Sequence, residues 1–575
     1  MSSRPEARRW AQWALLATPV VVIAIAGWSR RWMSDDGFIH LRVVKQLVAG
    51  NGPVFNAGER VEASTSPLWV FLLALADLVT PVRLEWLAVV LGIFLTAAAV
   101  VLAVVAAARI HDPGDRLLVP AGAAVVAALA PTWTYTTSGL EGGLVLVWLG
   151  AAAVVLAGWV AGRPVRPAGA VILGLGVLIR PDLGVFSVLF LAMVVAFGAR
   201  RSAATAWRTL AWALAIPVAY QIFRMGYYGA LAPNPALAKE ASMAWWSQGW
   251  RYLQAATEPY WLWLPLVALA VGAYVPAFRR HGAQADRDAH TRRRLFMGAF
   301  VLGGVVHATY VVRVGGDFMH ARLLLPSLFA LCVPVAVVPL ARRHLVALAV
   351  VPWALVCGIW LRSADDDIEG FGTGAGVVTT DDVDWAPGGA QRAWFVGPGA
   401  YHVLQRLDAA PHDELGDTAV SSYGIGVVGY ALGNDVYVLD LLGLADPVTA
   451  RFRLERRGIP GHEKPLPPAW IAARLTAAGS EVEPDDFPAP GLLAAPLPTP
   501  REFDEQVAAA RAALECGDLR ELRQSYRADL TPGRFVDNFV GALGRWRLRI
   551  DRDAEVEAAA CDAPRQERDA RLPSS

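Results

Sequence analysis

Residues Ser34 to Leu68 read SDDGFIHLRVVKQLVAGNGPVFNAGERVEASTSPL. Two adjacent carboxylates, Asp35 and Asp36, follow a first apolar stretch at Trp10–Trp28. After them comes a polar loop carrying Asn56, Glu59, Arg60, Glu62, Thr65 and Ser66, and then the apolar run Pro67–Val79. An acid pair at the mouth of a membrane span is costly to place there without a use. One use is chemistry: a carboxylate that takes a proton from an acceptor hydroxyl or steadies a positive transition state. The bland alternative is an acid pair capping a helix at the lipid interface.

Composition agrees with a membrane setting. The chain has 575 residues, 55% of them hydrophobic, and a mean hydropathy of +0.38. That is too apolar for an ordinary soluble domain. The net charge of +1 gives no sign of nucleic-acid binding. Long apolar runs fill residues 10–361, whereas 362–575 is rich in Asp, Glu, Arg and Pro. The expected architecture is a polytopic α-helical membrane part, 1–361, followed by a soluble mixed α/β domain, 362–575. The first outer loop, 29–83, would hold a juxtamembrane helix at 67–80, too short to span. The Trp10–Trp28 run is long for a signal peptide, so it reads as an uncleaved first helix.

At about 20 apolar residues per crossing, the chain accommodates about eleven spans, within a range of nine to twelve. One expected span lies near 117–133 and another near 168–180. Loop charge sets the orientation. Alternate connections hold Arg109 and Arg116, Arg163 and Arg166, Arg200 and Arg201, Arg279 to Arg294, and Arg342 with Arg343. These would be cytoplasmic, as would the N-terminus. The other face carries Asp35, Asp36, Glu59, Glu62, Glu141, Asp182, Glu240 and Asp317, and with it the 362–575 domain. The expected location is therefore the plasma membrane, multi-pass, with the C-terminal domain outside the cytoplasm.

Within 362–575, short apolar segments at Ala393–Val396, Ala419–Ser422 and Asp435–Asp440 suggest strands, and helical patterns recur near 500–525 and 534–548. Gly424-Ile-Gly-Val-Val-Gly429 has the spacing of a dinucleotide fingerprint. Asp440 lies 11 residues beyond Gly429 rather than about 20, and the segment falls in the part expected outside the cytoplasm, so a tight structural turn is the better reading. Cys516 and Cys561 fall in the exported part, where a disulfide between them is expected. Cys332 and Cys357 fall in spans, as packing residues.

Four further outer-face motifs could carry chemistry. Gly315-Gly-Asp-Phe-Met-His-Ala-Arg322 opens a span; Arg322, with His320 and Asp317 beside it, could grip a phosphate, or Arg322 could merely snorkel. Arg180-Pro-Asp182 offers a second phosphate cation or a structural ion pair in a turn. The loop 225–258 holds Asn234 and Lys239 within reach of substrate, and Trp245, Trp246 and Trp250, which could stack on sugars or form an interfacial belt. Ser138-Gly-Leu-Glu141 puts Glu141 against a sugar or against water. No His/Cys ligand cluster exists; Asp35 and Asp36 are the pair that would hold a divalent cation if one is used.

The DD of the first outer loop, NGPVFNAGERVEASTSPLW, SGLE, RPD, GGDFMHAR, GLADP and PGHEK together resemble the GT-C glycosyltransferases that use polyprenyl-phosphate sugars. More narrowly, they resemble the terminal β-arabinofuranosyltransferases (AftB type) of the mycobacterial and corynebacterial cell wall. The resemblance implies decaprenyl-phosphate arabinofuranose as donor and the non-reducing ends of arabinan, in arabinogalactan or lipoarabinomannan, as acceptor. It also implies a terminal β-1,2 product. Donor and product would then share anomeric configuration, which puts a simple in-line displacement in doubt and favours a nucleophilic or ion-pair-stabilising carboxylate. On this reading of the motifs Asp35 and Asp36 are the candidate catalytic pair, and Arg322, His320, Arg180 and Lys239 are the candidates for the donor phosphate. Glu62, Thr65, Ser66, Glu141, Asn234 and Asp317 would hold substrate. The alternatives are another polyprenyl-phosphate-sugar transferase, mannosyl or pentosyl, and less strongly a lipid-linked-sugar transporter.

Overall fold

The structure, a computed structural model, describes residues 3–111, 116–200, 202–240, 243–275, 287–360, 419–422, 424–455, 457–458, 461–476 and 500–560. The main helices up to residue 360 are α1 (Ser3–Ser29), α2 (Asp35–Val48), α3 (Pro67–Val79), α4 (Leu84–His111), α5 (Gly142–Val160), α6 (Gly184–Ala199), α7 (Ala203–Tyr227), α8 (Trp246–Thr257) and α9 (Arg287–Val314). Beyond it come α10 (Ile425–Ala431), α11 (Pro468–Thr476), α12 (Pro500–Leu514), α13 (Gly517–Arg527), α14 (Pro532–Arg545) and α15 (Ala554–Ala560). Two pairs of short strands complete the described elements: β1 (Leu118–Val119) with β2 (Val338–Pro339), antiparallel, and β3 (Ala419–Ser422) with β4 (Tyr437–Asp440), parallel.

Among the described residues, five helices are long and apolar enough to cross a bilayer: Arg8–Ser29, Leu84–His111, Gly142–Val160, Pro181–Ala199 and Asp288–Val314. Shorter apolar helices lie at Pro67–Val79, Trp263–Tyr274, Arg322–Val335 and His344–Ile359. Several expected spans are not continuous helices: that near 322–340 ends in β2, and those near 117–133 and 168–180 are broken. Residues 117–133 form no single helix: β1 is followed by Pro120, the short helix Ala121–Ala127, and then Ala130–Tyr135 opened by Pro131. Each proline removes a backbone donor and resets the helix. The stretch 168–180 breaks into Pro167–Gly174 and Gly176–Ile179. Here glycines allow close approach: a Cβ on Gly174 would lie 1.9 Å from Ala213 O, and one on Gly176 would lie 2.7 Å from the Trp148 ring.

The chain gathers into two compact units, which cut across the expected division at 361. One is Met1–Ser34, Val82–Val218 and Ala244–Pro398; the other is Asp35–Pro81, Ala219–Met243 and Gly399–Ser575. In the first, α4 and α5 meet through small residues. A Cβ on Gly143 would sit 2.7 Å from Gly92 O, and one on Gly150 2.9 Å from Ala99 O. Such close helix pairing suits a lipid environment, where dispersion rather than water exclusion drives association. Trp148, Phe186, Phe190, Phe300 and Phe296 form a run of edge-on and tilted ring contacts beside it. Large apolar side chains such as Trp10, Ile25, Phe94 and Val188 face outward, as lipid-facing residues do.

In the second unit, β3, α10 and β4 make a right-sized βαβ turn-back, and α11 to α15 surround it. The core gathers Leu439, Phe452, Trp470, Phe503, Leu522 and Tyr526, and Val61 of the first loop enters it. That loop behaves as part of the domain. The Asn56 amide pairs with Val438 as a strand backbone would: Nδ2 donates to Val438 O at 2.9 Å and Oδ1 accepts from Val438 N at 3.1 Å. The Glu59 carboxylate meets Arg527 at 2.6 Å and Arg474 at 3.6 Å. From Ala219–Met243, Asn234 Nδ2 donates to Gly443 O at 2.7 Å, and Glu240 pairs with the buried Lys464. α3 buries Trp69, Val70 and Leu73 and exposes Phe71, Leu75, Leu78 and Val79, an apolar outer face suited to lipid. Cys516 is disulfide-bonded and Cys332 and Cys357 are free, whereas Cys561 lies outside the described residues, as does the expected strand Ala393–Val396.

These contacts predict that residues 399–575 expressed alone lack a cooperative unfolding transition that the full chain shows, because Val61, Asn56, Asn234 and Glu240 complete their core. A sharp thermal transition in the isolated segment would contradict this.

Candidate active-site residues

α2 begins at the acid pair, and its carboxylates have different surroundings. Asp35 is turned onto α10: Oδ2 accepts from Gly426 N at 3.0 Å and Oδ1 from Val427 N at 2.8 Å. Burial pushes the Asp35 carboxyl up to about 6; the two N–H bonds oppose this rise and the Asp36 charge adds to it. Asp36 points elsewhere. Its side chain is 19% exposed, and its Oδ2 lies 3.9 Å from Lys239 Nζ. The Gly424–Gly429 sequence is thus the turn into α10 and a seat for a carboxylate of its own chain.

The remaining substrate candidates of this unit are firmly held. Glu62 accepts from Arg224 Nε at 2.6 Å and Nη2 at 3.0 Å, and from Tyr220 OH at 2.8 Å. Asn234 donates to main-chain carbonyls, as described above. Thr65 is half-buried; Ser66 is buried, and its Oγ has no hydrogen-bond partner.

In the other unit, Arg180 is clamped by Asp182 with two 3.0 Å bonds and reaches Glu141 at 3.3 Å. Asp182 is held in turn by His307 Nε2 at 2.8 Å, and His307 Nδ1 meets Ser327 Oγ at 2.7 Å. Arg322 Nη2 pairs with Asp317 at 2.5 Å, and His320 Nε2 lies 3.3 Å from Tyr260 OH. The GGDFMHAR turn is tight. Gly315 and Gly316 have φ of 98° and 78°, and a Cβ on Gly316 would meet Tyr252 at 2.3 Å. Ala321 also has a positive φ, 57°, a strained state for alanine.

Arg180, Arg322 and Glu141 line one cavity, together with Thr96, Thr132 and Ser138. Thr132 is 2% exposed, and its hydroxyl has no hydrogen-bond partner among the described residues. A second, apolar cavity is lined by Leu253, Leu262, Leu266, Leu324 and Leu328, and the two cavities share Leu325.

Sequence reasoning missed Thr132, His307 and Ser327. A histidine inside an apolar helix was the available signal for His307. It also missed that Asp35 has a main-chain partner almost 400 residues away, for which local sequence holds no signal. At the acid pair named for a possible divalent cation, each Asp35 oxygen accepts one N–H bond. Among the described residues no group of three or more His, Cys, Asp or Glu could hold a metal ion.

Helices suited to a bilayer and polar residues gathered around a buried cavity describe a membrane enzyme, and comparison with known proteins supplies its class. A family model described as the AftB family C-terminal domain matches residues 400–559. A protein of Mycobacterium tuberculosis (strain ATCC 25618 / H37Rv) named terminal beta-(1->2)-arabinofuranosyltransferase is 33% identical, over 96% of this chain and 97% of its own. One of the same name from Corynebacterium glutamicum is 34% identical, over 90% of this chain and 83% of its own. No solved structure matches the chain. The protein is a membrane glycosyltransferase. It belongs to the terminal β-(1→2)-arabinofuranosyltransferase family, and the group it transfers is arabinofuranose.

Because Glu62 neutralises a buried arginine, Glu62→Gln should cost about 3 kcal/mol of stability. A lowered unfolding midpoint is expected, with acceptor KM per folded molecule changed less than about twofold. An unchanged midpoint with a raised KM would make Glu62 a substrate contact instead.

Proposed function

We propose that the protein moves arabinofuranose from decaprenyl-phosphate arabinofuranose to the non-reducing ends of arabinan in arabinogalactan or lipoarabinomannan, leaving terminal β-1,2 linkages. The observation that carries this is similarity along nearly the whole chain to two proteins named for that linkage. A lipid-phosphate donor is supported by the adjoining cavities: one lined by Arg180 and Arg322, the other by leucines. An anion suits the first and an isoprenoid tail the second.

The roles follow from chemistry. Phosphate is already a good leaving group, so its departure needs cations rather than a strong acid. Arg180 and Arg322 fill that role, and the long 3.3 Å pair of Arg180 with Glu141 is the one an incoming phosphate would exchange. The bond from the sugar C1 to the phosphate oxygen breaks, and the bond from C1 to the acceptor oxygen forms. The acceptor hydroxyl proton leaves to a base, either the departing phosphate or a carboxylate. We assign Asp36 to the reacting centre, as the acid that faces Lys239 while Asp35 is turned onto Gly426 and Val427. With donor and product sharing configuration, its carboxylate faces positive charge developing at C1 rather than acting as the base of a single inversion. Lys239, His320, Thr65, Ser66, Asn234 and Asp317 remain proposed for donor phosphate or substrate. The topology proposed with this function is about eleven spans with the N-terminus inside. A periplasm-only reporter fused after residue 362 is then active, and activity of a cytoplasm-only reporter there would reverse the orientation.

The function is tested by offering the purified protein decaprenyl-phosphate arabinofuranose or decaprenyl-phosphate mannose with a short arabinan. Transfer from the arabinose donor alone is expected; preference for mannose would overturn the proposal. Arg322→Ala should mainly weaken donor binding, because a charged contact to phosphate acts in the ground state too. Unchanged donor KM would remove Arg322 from the phosphate site.

A further inference from the structure

The two aspartates are neighbours in sequence but sit on different faces of α2. Successive helix residues are about 100° apart, and positions i, i+3 and i+7 share one stripe. On the stripe of Asp35 lie Phe38, Arg42 and Lys45. All four touch one short segment. Asp35 accepts from the N–H groups of Gly426 and Val427 at the start of α10. Phe38 meets the Tyr430 ring at 5.3 Å between centroids, and Lys45 Nζ lies 3.7 Å above the same ring. Arg42 closes the far end: its guanidinium donates to Gly429 O, to Gly433 O at 2.8 Å and to Val436 O at 2.7 Å.

The stripe is therefore a two-ended grip. An acid takes free donors in the first turn of α10, and an arginine takes the Gly429 carbonyl in its last turn with the Gly433 and Val436 carbonyls of the chain beyond it. First-turn donors and last-turn carbonyls are groups a helix leaves unsatisfied at its termini. The contact is close as well. A Cβ on Gly426 would lie 1.8 Å from Asp35 O and 3.0 Å from its Cγ, and one on Gly429 would lie 2.9 Å from Arg42 Cδ. Gly426 and Gly429 thus permit the approach. Asp36, one residue round the helix, is off this stripe and faces Lys239.

We infer that the acid pair has divided tasks: Asp35 is a positioning residue that, with Arg42, fixes α2 against α10 and so sets the direction of the Asp36 carboxylate. The inference rests on the proposed role of Asp36 at the reacting centre. Rotation of α2 about its own axis would swing Asp36 and Asp35 together, so a grip on one stripe aims the other. Asp35→Asn keeps one acceptor oxygen but turns an NH2 toward a main-chain N–H, which releases one end of the grip. Gly426→Ala attacks the same contact from the other side, with both carboxylates intact.

The test uses full-length protein in detergent, with two readouts on each variant. The first is hydrogen exchange in peptides covering 424–433. The second is kcat and donor KM per folded molecule. Asp35→Asn and Gly426→Ala should both exchange about tenfold faster there, the loss of about one hydrogen bond's worth of protection. Both should lose kcat by about 10- to 100-fold, the scale of a misplaced catalytic group, with KM within about twofold. Asp36→Asn should leave exchange at wild type while kcat falls at least about 100-fold. Wild-type exchange in Asp35→Asn overturns the inference, and so does faster exchange with wild-type kcat. Failure of both Asp35→Asn and Gly426→Ala to fold would make the contact a folding requirement and overturn it too. Wild-type turnover in Asp36→Asn, with the Asp35→Asn effects as expected, would upset the assigned reacting centre and leave the grip standing.

Discussion

Arg42 is the side chain on which the arrangement around α2 depends. It is buried, with Asn56 Oδ1 at 3.2 Å and four main-chain carbonyls as partners: Phe55, Gly429, Gly433 and Val436. No carboxylate stands among those partners, and burial lowers its pKa to about 10. A charge in that position is tolerable only while every carbonyl stays in place. The first loop, α10 and the approach to β4 are therefore locked to α2 together. Asp35 is the other end of the same lock, and Asn56 extends it to the backbone of Val438.

This constraint explains why the second unit is discontinuous in sequence. The family-model match covers residues 400–559. Yet its core takes Val61, and its buried ions take Glu59 and Glu240 from earlier in the chain. Without them Lys464 loses its buried carboxylate, Arg527 loses its acid partner and the core loses Val61. A loop that carries the acid pair is thereby made as rigid as a domain interior, which a reacting carboxylate requires.

Much of the class was legible in the sequence. Apolar length marked α1, α4, α5, α6 and α9, and the alternating segments marked β3 and β4. The acid pair marked the broad class, and NGPVFNAGERVE with the C-terminal domain narrowed it to the family. Other features escaped because they depend on tertiary contact. Apolarity at 117–133 resembles a span until Pro120 and Pro131 are weighed against burial by β1 and β2. The RPD motif shows a cation and an acid but not the His307 and Ser327 that complete its chain. The partners of Glu62 and Asn234 were hidden in the same way, because Arg224, Tyr220 and the carbonyl of Gly443 come from distant parts of the chain. Gly424–Gly429 reads as a tight turn and in the structure leads into α10, but nothing local pointed to Asp35.

The chemistry proposed here turns on a carboxylate facing the sugar while cations hold the departing phosphate, with the anomeric configuration kept. The most direct measurement is the NMR configuration and linkage of the product formed by purified protein from synthetic decaprenyl-phosphate arabinofuranose and a short arabinan acceptor. The account predicts a terminal β-1,2-linked arabinofuranose with the configuration of the donor. A product of opposite configuration, or no transfer from that donor by folded protein, would contradict it.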